Sequence, residues 1–258
     1  MQRYIIKESL DTFKDSTIHL GEEHYHHMKN VMRFKPETKI YVTDSDGNSC
    51  IAEVVAFHEQ SVEIAWVAED NRTSELPVHI TIACGLSKGD KLELIIQKST
   101  ELGVHSVVPF PSKHSVVKWD AAKMTKKIAR YTRIAQEAAE QSHRQHVPVI
   151  QEAMPIAELI SFSETFKHKL VAYEENAKEG EFGVFAETLR KLESSDKVLI
   201  VFGPEGGLDP SEIDQLTTAG FLTCSLGPRI LRAETAPLYA LSAISYQTEL
   251  LNKRGCIK

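Results

Sequence analysis

Val198-Leu199-Ile200-Val201-Phe202-Gly203-Pro204-Glu205-Gly206-Gly207-Leu208-Asp209-Pro210-Ser211-Glu212 decides the fold. The five apolar residues at its start read as a buried strand. Gly203, Gly206 and Gly207 then permit a tight loop whose backbone can approach a ligand closely. Asp209 is placed to be an N-cap, Pro210 takes the first helical position, and Glu212 completes a capping box. Gly220 ends that helix. The pattern then repeats. Residues 221–226 read as a strand, and Leu226-Gly227-Pro228-Arg229-Ile230-Leu231-Arg232-Ala233-Glu234-Thr235-Ala236 is a second loop. Residues 236–251 read as the last helix. Strand–loop–helix units at this spacing imply a parallel sheet with helices on both faces. Open α/β sheets bind ligands beyond the carboxyl ends of their strands, where both loops fall.

Further upstream the alternation continues. Strands are predicted at 78–84, 104–110 and 169–173. A helix is predicted over 88–102, with Leu92, Ile95, Ile96 and Leu102 on one face and Gly103 ending it. A long helix over 120–142 is capped by Asp120. Residues 1–70 differ in kind. Two β-rich runs, 40–43 and 49–55, flank Asp44-Ser45-Asp46-Gly47-Asn48, a hairpin signal. Residues 61–67 alternate like a half-buried strand. Residues 24–33 read as a short helix with Tyr25, Met28, Val31 and Met32 on one face. The expected organisation is a small β-barrel over 1–70, a polar linker at 69–75, and an α/β domain over 77–258.

Composition narrows the function classes. The chain has 258 residues, 42% of them hydrophobic. No apolar run is long enough to span a bilayer, and the N-terminus lacks a signal-peptide profile, so a cytoplasmic protein is expected. Cys50, Cys84, Cys224 and Cys256 form no C-x-x-C pair and read as reduced thiols. His24, His26 and His27 cluster, but no ligand set at a recognisable spacing accompanies them, so no metal is expected. The net charge is −6. Its distribution matters more: residues 113–133 hold Lys113, Lys118, Lys123, Lys126, Lys127, Arg130 and Arg133 against the single acid Asp120. Acids gather elsewhere, at Glu174-Glu175 and over 179–187. A local basic field of this kind suits either a solvated helix face or a polyanion.

The glycine loop is neither G-x-G-x-x-G nor a P-loop with its lysine. Glu205 at its centre repels phosphate and favours a ligand with positive charge or hydrogen-bond donors. A dinucleotide or NTP site is therefore disfavoured. In the second loop, the planar fork of Arg232 suits a phosphate or a carbonyl-type oxygen.

At Gly203-Pro204-Glu205-Gly206-Gly207-Leu208 and at 226–236 the chain resembles the SPOUT methyltransferases, and within them the ribosomal RNA small subunit methyltransferase E family. The resemblance extends to Arg33, Lys88-Gly89-Asp90-Lys91, residues 97–104, and Glu140-Gln141-Ser142 before Arg144. Ahead of Val116-Val117 that family often carries an arginine; this chain has His114-Ser115. The resemblance implies an α/β SPOUT-type parallel sheet with a C-terminal deep trefoil knot, plus a small N-terminal PUA-like β-barrel that binds RNA. It also implies a homodimer with the active site near the subunit interface. The implied reaction is methylation of uridine N3 in 16S rRNA of the small ribosomal subunit, using S-adenosyl-L-methionine. Gly203, Pro204, Glu205, Gly206, Gly207, Leu226, Gly227, Ile230, Leu231, Thr235 and Ala236 would form the cofactor pocket.

Uracil N3 is a weak nucleophile until it loses its proton, so the site must take that proton or stabilise the charge left on the ring. Arg232 is the candidate for the charge. Glu234 or Glu205 is the candidate for the base, or else orients the loop or the cofactor. Arg3, Arg33, Lys88, Lys91, Lys113, Lys118, Lys126, Lys127, Arg130 and Arg144 are the candidate RNA-binding residues. Ribose 2′-O methylation is the neighbouring alternative, and a non-catalytic RNA-binding or assembly factor is the alternative of another class.

Overall fold

The computed structural model describes residues 1–175 and 183–251. They divide into two units: Met1–Glu75 with Ala139–His146, and Leu76–Ala138 with Val147 onward. A second piece, distant in sequence, thus joins the N-terminal unit. Its cause is Glu75, whose carboxylate accepts from Arg144 Nε at 3.1 Å and from the backbone N–H groups of Gln145 (2.8 Å) and His146 (3.1 Å).

In the first unit five strands form one sheet: β1 (Arg3–Ile5), β2 (Thr17–Leu20), β3 (Lys39–Thr43), β4 (Ser49–Phe57) and β5 (Val62–Glu69), in the order β1-β3-β4-β5-β2. β1 pairs parallel to β3; the other pairs are antiparallel. Among the described residues β1 and β2 do not pair, so the expected barrel is an open mixed sheet rather than a hydrogen-bond-closed cylinder. The hairpin signal holds. Gly47 takes φ +85°, and Asp44 Oδ1 accepts from Asp46 N (3.0 Å) and Asn48 N (2.9 Å). β4 alternates because one of its faces lies on the core: Cys50, Ala52 and Val54 are buried with Tyr4, Phe13, Ile40 and Ile64. The predicted 24–33 helix is a short α-turn, α1 (Glu22–Tyr25), continued as a π-helix over His26–Val31. The wider π-turn rotates the face, so Met28 is buried while Val31 and Met32 are 56% and 40% exposed.

The second unit holds a six-stranded, wholly parallel sheet: β6 (His79–Gly85), β7 (Ser106–Phe110), β8 (Val149–Ile150), β9 (His168–Ala172), β10 (Lys197–Phe202) and β11 (Leu222–Cys224). Its order is β11-β9-β10-β6-β7-β8. Because helices cover both faces, central strands read as continuous apolar runs. Alternate residues feed two cores. Ile80, Ile82, Cys84, Val198, Ile200 and Phe202 face α2 (Lys91–Glu101), α3 (Ala121–Gln141), α5 (Val184–Arg190) and α7 (Thr235–Ser245). Ala83, Val108, Val171, Leu199 and Val201 face α4 (Ile156–Phe162) and α6 (Pro210–Thr218).

The predicted capping box of α6 is present: Asp209 accepts from Ser211 N at 3.0 Å and Glu212 Oε2 accepts from Asp209 N at 2.9 Å. Asp120 caps α3 through Lys123 N at 2.8 Å. Gly103 and Gly220 end α2 and α6 at φ +90° and +85°. β8, α4 and α5 lie in stretches without a clear periodic signal. α7 continues as a π-turn over Tyr246–Leu251. Cys50, Cys84 and Cys224 are buried free thiols; Cys256 and part of the 179–187 acidic stretch lie outside the described residues. No helix among the described residues is long and apolar enough to cross a membrane.

Candidate active site

Parallel strands end on the same side of a sheet, so β9, β10 and β11 all release their chains at one edge. There the structure has a cleft of about 890 Å³, walled by the loops after β10 and β11, by the end of β9 and by Lys91 at the start of α2. Gly203, Pro204, Glu205, Gly206, Gly207, Leu226, Gly227, Ile230, Leu231, Arg232 and Ala236 line it. Gly207 and Gly227 take φ +72° and +97°, a backbone that a side chain would strain.

Glu234, a candidate for the base, and Thr235, a candidate for the cofactor wall, are not among the lining residues. The backbone N–H groups of Thr235 and Ala236 donate to Arg232 O at 2.8 and 3.0 Å, which already begins α7 and turns residues 234–235 off the wall. Lys91, a candidate for the RNA surface, instead lines the cleft, with Nζ 3.0 Å from Glu205 Oε1 and 3.5 Å from Glu234 Oε2. That Glu234 oxygen is buried and, among the described residues, has no hydrogen-bond partner but this ammonium at ion-pair distance.

Glu205 is better supplied. Burial alone would raise its pKa, but its loop's N–H, Lys91 and the Lys88 N–H outweigh burial and hold it below the usual carboxylate value. The Lys88 N–H donates to Glu205 Oε1 at 3.4 Å. Lys91 is raised in turn, by Glu205 first and then by Glu234. Arg232 stands on the wall, exposed to solvent.

Sequence reasoning misses Ala172, Tyr173, Glu174 and Glu175 as cleft residues. They end or follow β9, which lies between β10 and β11 in the sheet, an order that local sequence does not encode. It also misses His114. The Nδ1 of this residue lies 3.0 Å from Gly206 O and its Nε2 3.7 Å from Asp209 Oδ2, so it braces the glycine loop from outside. A Cβ on Gly206 would come within 3.0 Å of His114 Cβ.

A ligand such as S-adenosylmethionine fits this donor set. Three acids, Glu174, Glu175 and Glu205, suit a cation, and Phe202, Leu208 and Leu226 supply apolar wall. Among the described residues no group of three His, Cys, Asp or Glu side chains stands together as a metal site.

The basic residues separate into two kinds. Lys88, Lys118, Lys123 and Lys126 are exposed. Lys113, 57% exposed, ties the 112–115 turn to α6 through Asp209 (3.2 Å) and Ser211 Oγ (2.5 Å). Lys127 and Arg130 flank Glu93 at 3.5 and 2.7 Å, and with Lys123 and Lys126 they line an open groove of about 620 Å³ between α2 and α3. In the first unit Arg33 is exposed at φ 55°.

Arg3 and Arg144, candidates for RNA binding, are not surface groups. They are 4% and 2% exposed. Arg3 donates to Thr43 Oγ1 (2.5 Å), Ser49 Oγ (2.7 Å) and Asp70 Oδ2 (3.0 Å). Arg144 is paired with Glu75. A buried charge must be paired and hydrogen-bonded, and both guanidiniums are used that way.

The chain matches the family models of an RNA methyltransferase domain over residues 74–245 and of an RNA methyltransferase PUA domain over residues 20–65. It is 46% identical over 252 residues to the ribosomal RNA small subunit methyltransferase E of Bacillus subtilis (strain 168), covering 97% of this chain and 98% of that protein. The protein of the same name from Synechocystis is 31% identical, covering 90% and 73%. The crystal structure of ribosomal RNA small subunit methyltransferase E from Neisseria gonorrhoeae bound to S-adenosyl methionine matches with a TM-score of 0.82 at 30% identity, covering 95% of this chain and 97% of that one.

Proposed function

The chain belongs to the ribosomal RNA small subunit methyltransferase E family, and we propose that it methylates N3 of a uridine in 16S rRNA with S-adenosyl-L-methionine. One observation carries the reading: the loops 203–208 and 226–236 wall a single cleft rich in carboxylates and free of a phosphate-gripping lysine loop. S-adenosylmethionine, held by the glycine-loop backbone and the acids of this cleft, supplies an electrophilic methyl group. The protein's own tasks are alignment, water exclusion and control of charge. Holding two reactants in line can contribute roughly 7–11 kcal/mol of barrier reduction.

Arg232 on the cleft wall meets the negative charge that spreads over the uracil carbonyl oxygens when N3 is deprotonated. Glu205, held ionised and on the same wall, accepts the N3 proton. N3 lies on the Watson–Crick edge, so the target base must be unpaired or turned out of its stack. The lysines over 113–127 with Arg130, and Arg33 in the first unit, supply phosphate contacts.

The deep trefoil knot belongs to the same proposal; its support is that the two loops it would bring together share one cleft. Homodimerisation is supported by Tyr239, Tyr246 and Leu250, which are 40%, 54% and 61% exposed along the last helix, and by Ile230 at 75%. The test is incubation of the protein with methyl-labelled S-adenosylmethionine and undermethylated small subunits or free 16S rRNA. N3-methyluridine is the expected nucleoside. Label on a ribose 2′-oxygen replaces the reading with the neighbouring reaction, and no label with bound cofactor replaces it with a binding role.

A further inference from the structure

Lys91 joins three elements that lie far apart in the chain. It opens α2, and its ammonium stands between Glu205 of the loop after β10 and Glu234 at the end of the loop after β11. We propose that Lys91 is a positioning residue of the cofactor cleft: through Glu205 and Glu234 it straps the two loops together and holds the cleft in its binding shape. The proposal rests on the methyltransferase reading for its kinetic arm, though not for its binding arm.

Three observations support a strap rather than a surface pair. Lys91 side-chain exposure is 33% and that of Glu234 is 18%, so both are sheltered and the attraction is only partly screened. Among the described residues the buried Glu234 oxygen has no hydrogen-bond donor, and Lys91 stands at ion-pair distance to compensate its charge. Glu205 keeps a second anchor, the Lys88 N–H, which fixes where the ammonium must sit. Without the lysine, two carboxylates would face each other across the loops with no cation between them, and like charges at short range drive groups apart.

The experiment measures S-adenosylmethionine binding by calorimetry and steady-state methylation for Lys91→Met, Lys91→Arg, Glu234→Gln and the double variant Lys91→Met/Glu234→Gln. Lys98→Met is the control: among the described residues it breaks only the Lys98–Glu101 pair on the same helix. Lys91→Met is expected to raise both the Kd and the KM for S-adenosylmethionine about tenfold, or ~1.4 kcal/mol. Lys91→Arg restores most of the affinity. The double variant binds no worse than Lys91→Met alone, because both changes cut the same strap.

Unchanged affinity in Lys91→Met overturns the proposal, as does additive loss in the double variant. A fall in kcat with KM unchanged also overturns it, since Lys91 would then act on the reacting atoms. If the protein bound S-adenosylmethionine but methylated no uridine, the functional reading would fail while the calorimetric cycle still tested the strap.

Discussion

Gly85→Ala tests the placement of the glycine loop directly. Gly85 closes β6, whose residue Cys84 pairs with Phe202 at the end of β10. The loop after β10 therefore passes over it at van der Waals range. A Cβ built on Gly85 lies 2.5 Å from both Cδ and N of Pro204, and 3.1 Å from Gly203 C. Ordinary contact begins near 3.4 Å, so the gap must open by about 0.9 Å (3.4 − 2.5). The obstacle cannot swing aside, because a proline ring is bonded to its own backbone. Either the loop or the end of β6 must move by about that distance, and overpacking of this kind costs typically 1–3 kcal/mol. The sheet is held by ladders on both sides of β6, while the loop is tied at fewer points, so the loop yields. If that whole cost appears as weaker cofactor affinity, Kd rises about 5- to 150-fold. Calorimetry with S-adenosylmethionine measures it, and a melting curve without cofactor separates binding from folding. Gly220→Ala is the comparison. At φ +85° it strains the end of α6 and lowers stability, but Gly220 is not among the cleft-lining residues, so cofactor affinity should stay at the wild-type value. Gly85→Ala binding the cofactor within twofold of wild type would show that the glycine loop does not pack on the end of β6.

Three further outcomes are expected. Arg232→Ala should abolish most turnover while retaining cofactor binding, and wild-type turnover in that variant would remove Arg232 from the chemistry. Lys126→Glu with Lys127→Glu should weaken RNA binding and flatten the slope of log K against log salt by about one unit for each phosphate that is no longer neutralised, read by filter binding across a salt series. Arg144→Met should lower stability by about 3 kcal/mol at neutral pH in urea unfolding, because it leaves Glu75 largely buried without its cation. The pH sign follows from Glu75. Burial raises its pKa, but Arg144 and the backbone donors outweigh burial, so the folded value lies below the unfolded 4.5. The pair's contribution is complete above that unfolded value and is lost as pH falls through the folded one. The stability gap between wild type and variant should therefore narrow below pH 4.5, and a gap that stayed constant into acid would count against the ion pair as its source.

What can be read from the chain, and what cannot, divides along a physical line. The helix starts at Asp120 and Asp209, the stops at Gly103 and Gly220, and the Asp44–Asn48 hairpin are decided by neighbours in sequence, and each stands where local chemistry puts it. The two glycine loops are legible as ligand loops for the same reason, since each follows a run of residues that must be a buried strand. Burial of charge is not local. Arg3 and Arg144 resemble any surface arginine until Asp70 and Glu75 are brought to them from distant segments. Lys91 is the clearest case. In sequence it ends a polar turn, Lys88-Gly89-Asp90-Lys91, and an RNA contact is the natural inference. Parallel pairing of β6 with β10 changes that, because it sets the start of α2 beside the loop after β10. One pairing choice thus moves a lysine from a nucleic-acid surface to the wall of the cofactor cleft. It also separates the two glutamates that stand as equivalent candidates in the sequence: Glu205 lines the cleft, and Glu234 is held behind it by the lysine between them.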